Sequence, residues 1–123
     1  MQGVETVEIE VVRSPLEADP TPFVHAALTS PRKPTAVVAN HDELASRVWR
    51  GLDALGMSVP DDVAIVGYDD GQLADGLGLT TIRQPFEDSG RAALELLLAA
   101  IAGTGSTVRR VDLTPSLVVR AST

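Results

Sequence analysis

Two polar clusters in this chain are equipped for chemistry: Asn40-His41-Asp42 and Asp69-Asp70. Each ends a valine-rich apolar run, "TAVVA" before the first and "VAIVGY" before the second. A carboxylate such as Asp69 accepts two hydrogen bonds from vicinal hydroxyls, strengthened by its charge. The other reading of Asp69 is a solvated turn residue. An imidazole such as His41 donates or accepts toward a polar molecule, or changes charge near neutral pH. Its other reading is a helix-cap neighbour exposed to water. Asp70 suits the holding of backbone amides in its own loop. Asp42 suits capping, or complementing the dipole of a helix that begins there. Asn40 is expected to point away and bond backbone.

These residues do not assemble into a catalytic set. Adjacent aspartates point in different directions, which spoils them as an acid–base pair. There is no Ser-His-Asp arrangement, phosphate loop or nucleophile elbow beside them. The stretch "DDGQLADG" lacks the alternating ligands and terminal Glu of a calcium loop. Two histidines and no cysteine make no zinc site. The chain is expected not to be an enzyme, and to need neither cofactor nor metal.

The elements that must position the clusters follow from hydrophobic period. The segment "VETVEIEVV" alternates apolar and acidic residues and reads as a strand with one wetter side. "RSPLEADPTP" is a proline-rich loop, followed by a short helix from Pro22 to about Leu28 with His25 on its surface. "TAVVAN" is the kind of short apolar strand buried on both faces of a parallel sheet. Leu44, Ala45, Val48, Trp49, Leu52 and Leu55 recur at helical spacing, and Gly56 supplies a left-handed stop. On that stripe, Trp49 belongs to the core or a subunit interface. "SVPDD" is a turn, "VAIVGY" a second buried strand, and "GQLADGLG" an irregular stretch. "LTTIRQ" is a third extended segment, and Pro85 opens a helix from Phe86 to Ala102 that Gly103 closes. After the loop "GTGST", the tail is extended, with "SLVVR" as its buried strand.

Alternating strands and helices with long crossovers predict an α/β fold, a Rossmann-like parallel sheet flanked by helices. Ligands of such sheets bind outside the carboxyl ends of the strands, where both polar clusters fall. The bulk numbers agree with one small domain or part of a larger one. At 123 residues and 44% hydrophobic, the chain has material for a core, built mainly from Val, Leu, Ile and Ala because only 3% is aromatic. A net charge of −7 opposes unaided binding to phosphate backbones. The start, "MQGVETVEIE", is no signal peptide, and the longest apolar run, "LLLAAIA", is too short to span a membrane. A cytoplasmic setting is expected.

The ordered landmarks "TAVVANHDELA", "ALG", "VPDDVAIVGYDD", "LTTIRQPF" and the closing "LVVR" resemble the C-terminal part of the LacI/GalR family of bacterial transcription repressors. The resemblance runs from about Pro34 to Thr123. It implies a periplasmic-binding-protein-like fold in which two α/β subdomains clamp a small effector, often a sugar or nucleobase. Residues 1–80 then form part of the C-terminal effector-binding subdomain. Residues 81–110 are a crossover and helix of the N-terminal subdomain, and 111–123 return as strands. The resemblance also implies that Asp69 contacts the effector, that His41 takes the place of a ligand-contacting Asn, and that Gln84 lies at the hinge. Phe86 matches a residue that stacks on an apolar ligand face. For Gln84 and Phe86 a packing role stands beside the ligand role, and Arg83 reads as a solvated hinge residue.

The expected function is effector sensing and dimerisation in a transcriptional regulator. DNA would be bound only through a helix-turn-helix that this sequence lacks, so the chain reads as a fragment or truncated product. The isolated chain, with one wall of the cleft, is expected to bind effector weakly or not at all. The alternative is a sugar solute-binding protein of a transporter, which shares the fold.

Overall fold

The computed structural model describes residues 19, 21–31, 33–104 and 110–123. The strand expected at "VETVEIEVV" lies outside the described residues. Within them the order is α1 (Thr21–Thr29), β1 (Ala36–Val38), α2 (Asp42–Ala54), β2 (Ala64–Asp69), α3 (Gln72–Leu77), β3 (Thr80–Arg83), α4 (Phe86–Ile101) and β4 (Ser116–Val118). The four strands form one sheet in the order β1-β2-β3-β4. β1, β2 and β3 are parallel, with Val38 opposite Val66 and Val66 opposite Thr80. β4 runs antiparallel to β3.

The core lies between this sheet and α2. Ala45, Val48 and Leu52 recur on the buried stripe of the helix, and Val63, Ile65 and Leu79 meet them from the sheet side. Full burial of a side chain such as Leu52 or Ile65 is worth about 1.5–3 kcal/mol. α1 adds Val24 and Leu28 to the same cluster, while Trp49 packs partly buried at its margin. α2 ends where Gly56 turns left-handed (φ 74°), letting the Met57 N–H reach back to the Leu52 carbonyl.

Three expectations are corrected. The apolar strand β1 is not buried on both faces: Val38 is 77% exposed. Among the described residues β1 is the outer strand of the sheet, and helices cover one face only. Burial therefore alternates along β2, with Ile65 and Gly67 buried and Ala64, Val66 and Tyr68 half-buried. The same cause leaves the closing strand exposed at Leu117 and Val119. The stretch read as irregular, "GQLADGLG", is helix α3, nucleated against the core by the buried Ala74 and stopped by Gly78 in the left-handed region.

α4 departs from the sheet after Pro85, and none of its residues is buried; Leu94, Leu97, Leu98 and Ile101 are all exposed. The last residues are anchored instead. The buried Ser122 hydroxyl donates to the Ile65 carbonyl at 2.6 Å and accepts from the Thr80 N–H at 2.8 Å. The Ile65 N–H in turn donates to the Ser122 carbonyl. Ser122 thus completes the ladder beside β2 just where β3 has not yet begun. No described helix is long and apolar enough to cross a membrane.

Candidate functional site

The rim at the carboxyl ends of β1, β2 and β3 is assembled around one buried carboxylate. Asp42, only 5% exposed, opens α2. Its Oδ1 accepts from the Thr81 hydroxyl at 2.6 Å and its Oδ2 from the Gly71 N–H at 2.9 Å. One side chain therefore ties the β1–α2 turn to both the β2–α3 turn and β3. That contact needs Gly67, because a Cβ there would run into Asp42 Oδ1 and come within 2.9 Å of Leu79 Cδ2.

This reverses two assignments made from sequence. The loop amide expected to be held by Asp70 is held by Asp42, and the helix cap expected of Asp42 is supplied by His41. His41 has extended backbone (φ −160°, ψ 158°), and its Nδ1 accepts the Leu44 N–H at 3.0 Å. The neutral ring then carries its proton on Nε2, which remains available as a donor. Asn40 is exposed, and no side-chain hydrogen bond of Asn40 occurs among the described residues, against the expectation that it bonds backbone.

Asp70 points to arginines instead. Its carboxylate accepts from Arg83 Nε at 2.5 Å and from Arg120 Nη2 at 2.8 Å. These two hydrogen bonds, Arg83's first, hold its carboxyl below the ordinary aspartate range against the opposing effect of burial. Arg83 is thus a salt-bridge partner rather than merely a solvated residue, although its side chain stays 59% exposed. Asp69 and Asp70 both have positive φ, 110° and 56°. Conformations of this kind cost a non-glycine residue about 1–3 kcal/mol and persist only where the surroundings over-determine them.

Asp69 Oδ1 accepts from Gln84 Nε2 at 2.6 Å, which leaves Oδ2 of Asp69 and Oε1 of Gln84 as acceptors. Gln84 and Phe86 line a cleft of about 250 Å³ with Tyr68, Pro85, Ser89, Leu113 and Pro115. Phe86 is 62% exposed, so it is not packed into the core. The structure therefore joins Asp69, Gln84 and Phe86. His41 stands at the end of the adjacent strand β1 and is not among the cleft-lining residues. The cleft is open to solvent, and its volume of about 250 Å³ is below the roughly 300–1,000 Å³ of enclosed ligand sites. Among the described residues no group of His, Asp and Glu is placed to hold a metal ion.

Sequence reasoning missed Arg120 and Thr81. Their partners lie 50 and 39 residues away, and no local pattern signals such pairings.

Comparison with known proteins assigns the chain to a family. Residues 2–123 match the model of the periplasmic binding protein-like domain. The ribose operon repressor of Escherichia coli (strain K12) is 37% identical over 97 residues, covering 77% of this chain and 29% of the repressor. The HTH-type transcriptional regulator MalR of Streptomyces coelicolor is 39% identical over 123 residues, 98% of this chain and 36% of that protein. The solved structure of a LacI family transcriptional regulator from Enterococcus faecium with bound ribose superposes with a TM-score of 0.72. It is 33% identical, covering 84% of this chain and 38% of that one. This chain spans about a third of the length of these curated relatives. They are regulators, which favours the regulator reading over a transporter's solute-binding protein. The chain belongs to the periplasmic binding protein-like domain family, within the effector-binding domains of LacI/GalR-type regulators.

Proposed function

We propose that the carboxyl rim is one wall of an effector cleft, with Asp69, His41, Gln84 and Phe86 as the residues that meet a small sugar-like molecule. The hydrogen bond that Gln84, a residue of the cleft lining, donates to Asp69 carries this reading. It orients two acceptors toward a donor-rich ligand, and Phe86 offers an exposed ring beside them for an apolar sugar face. His41 Nε2–H supplies a donor from the neighbouring β1–α2 turn. Hydroxyls, which donate and accept, match both kinds of group.

In this reading residues 1–80 belong to the C-terminal effector-binding subdomain, 81–110 cross to the N-terminal one, and 111–123 return. The exposed apolar face of α4 fits that division, since it is built to pack on something. Effector held between the subdomains shifts the balance of open and closed arrangements. A regulator couples that shift to DNA affinity in the cytoplasm. DNA contact belongs to a separate helix-turn-helix module, since this acidic chain repels phosphate. No catalytic step is assigned to any residue, and homodimerisation accompanies the function.

An amide-resolved NMR titration of the chain with millimolar ribose, lactose and cellobiose tests the site. Shifts confined to the segments around His41, Asp69 and Gln84, and abolished by Asp69→Ala, are expected. Shifts centred elsewhere, or unchanged in Asp69→Ala, would refute it.

A further inference from the structure

We infer that Arg120 is a positioning residue for the effector site: acting through Asp70, it holds the positive-φ turn that presents Asp69. This rests on the reading of Asp69 as an effector contact, but its mechanical part stands without it. Asp69 and Asp70 occupy consecutive positive-φ conformations, and the φ of 110° at Asp69 lies beyond the small left-handed region open to side chains. Something must hold such a turn in place. The Asp70 N–H finds Thr81 Oγ1 at 3.3 Å, a long bond for the task. The short contacts are those of its carboxylate to Arg83 and Arg120.

The two arginines are not equivalent. Arg83 is mostly exposed, and water and salt weaken its pair with Asp70. The Arg120 side chain is 17% exposed and the Asp70 side chain 7%, so their bond is shielded. Arg120 is also fixed from behind. Its Nη1 donates to the Leu79 carbonyl at 2.9 Å, and its backbone N–H donates to Thr80 Oγ1 at 2.8 Å. The guanidinium therefore joins the start of β3 to the end of β2. It does not line the cleft. Its action on Asp69 runs through the Asp70 carboxylate and one peptide unit. Depression of the Asp70 carboxyl by both arginines agrees with a carboxylate kept charged for this purpose.

The test compares the chain with Arg120→Gln, Arg120→Lys, Asp70→Asn and the Arg120→Gln/Asp70→Asn double variant. Amide hydrogen exchange is followed at Asp70 and Gly71, with Ile65, which donates to the Ser122 carbonyl, as the reference. Protection at Asp70 and Gly71 is expected to fall roughly tenfold in Arg120→Gln, the factor for losing one charge-assisted hydrogen bond. Asp70→Asn, which also gives up Arg83, should lose at least as much, the double variant should add nothing to Asp70→Asn, Arg120→Lys should recover part, and Ile65 should not change. Equal loss at Ile65 would reveal general loosening of the C-terminal segment and overturn the inference. Additive effects, or unchanged protection at Asp70 and Gly71, would do the same. Ribose-induced shifts at Asp69 and Gln84 should weaken in Arg120→Gln and return in part in Arg120→Lys. If the unaltered chain shows no ribose shifts, as a single cleft wall allows, the exchange data alone decide the positioning role.

Discussion

Replacing Gly67 with Ala introduces a methyl group where the structure has no room. The new Cβ would overlap Asp42 Oδ1 and sit 2.9 Å from Leu79 Cδ2 and 3.4 Å from Asp42 Cα. Leu79 is fully buried and cannot retreat freely. Overpacking alone costs about 1–3 kcal/mol. The Asp42 carboxylate has no free route either, because its two oxygens hold Thr81 Oγ1 and the Gly71 N–H. Breaking one of these charge-assisted bonds adds about 1.5–3 kcal/mol. The expected loss is therefore about 3–5 kcal/mol, a large share of the roughly 5–15 kcal/mol of a typical domain. Urea unfolding followed by circular dichroism measures it. In an Asp42→Ala background the vacated space should reduce the cost of Gly67→Ala, giving a coupling of about 2 kcal/mol. A loss under about 1 kcal/mol for Gly67→Ala, or full additivity with Asp42→Ala, would refute the reasoning.

Three further outcomes are expected. His41→Ala removes the acceptor for the Leu44 N–H and should destabilise the chain by about 0.5–2 kcal/mol in urea unfolding, with His41→Asn restoring much of it. Asp70 has a carboxyl lowered from the ordinary 3.8 by Arg83 and then Arg120. Its stabilising contribution is full above that ordinary value and disappears as pH falls through the lowered one, so Asp70→Asn should flatten the acid limb of the stability–pH curve. An acid limb of unchanged slope in the variant would remove this assignment. The exposed leucines of α4 should drive self-association, seen by light scattering as a dimer that Leu94→Glu/Leu98→Glu converts to monomer.

Much of the fold was legible in sequence because it rests on short-range periodicity. The 3-and-4 spacing from Leu44 to Leu55, closed by Gly56, describes α2 nearly residue for residue. The "VAIVGY" run gives β2, which extends one residue further, to Asp69. α3 escaped because its six residues, set between Gly71 and Gly78 with Gly76 inside, are too few for a helical period to stand out; only Ala74 is buried. The candidate site was legible as a location, since both polar clusters end strands. The division of labour within it was not. Asp42, Asp70 and His41 are all polar residues in turns, and sequence offers no means of telling which accepts an amide, which meets an arginine and which caps a helix.

What the amino-acid order determined by itself is the alternation of strand and helix, and hence the rim to which Asp69 and His41 are delivered. Backbone hydrogen bonding and apolar period act over a few residues, so they can be read along the chain. Tertiary structure alone decided that Asp42 joins three elements through Thr81 and Gly71, and that Arg120 reaches back to Asp70. It also decided which apolar residues stay exposed, Val38 and the leucines of α4 among them. Those outcomes depend on which surfaces meet once the sheet has formed, and sequence neighbours carry no record of that encounter.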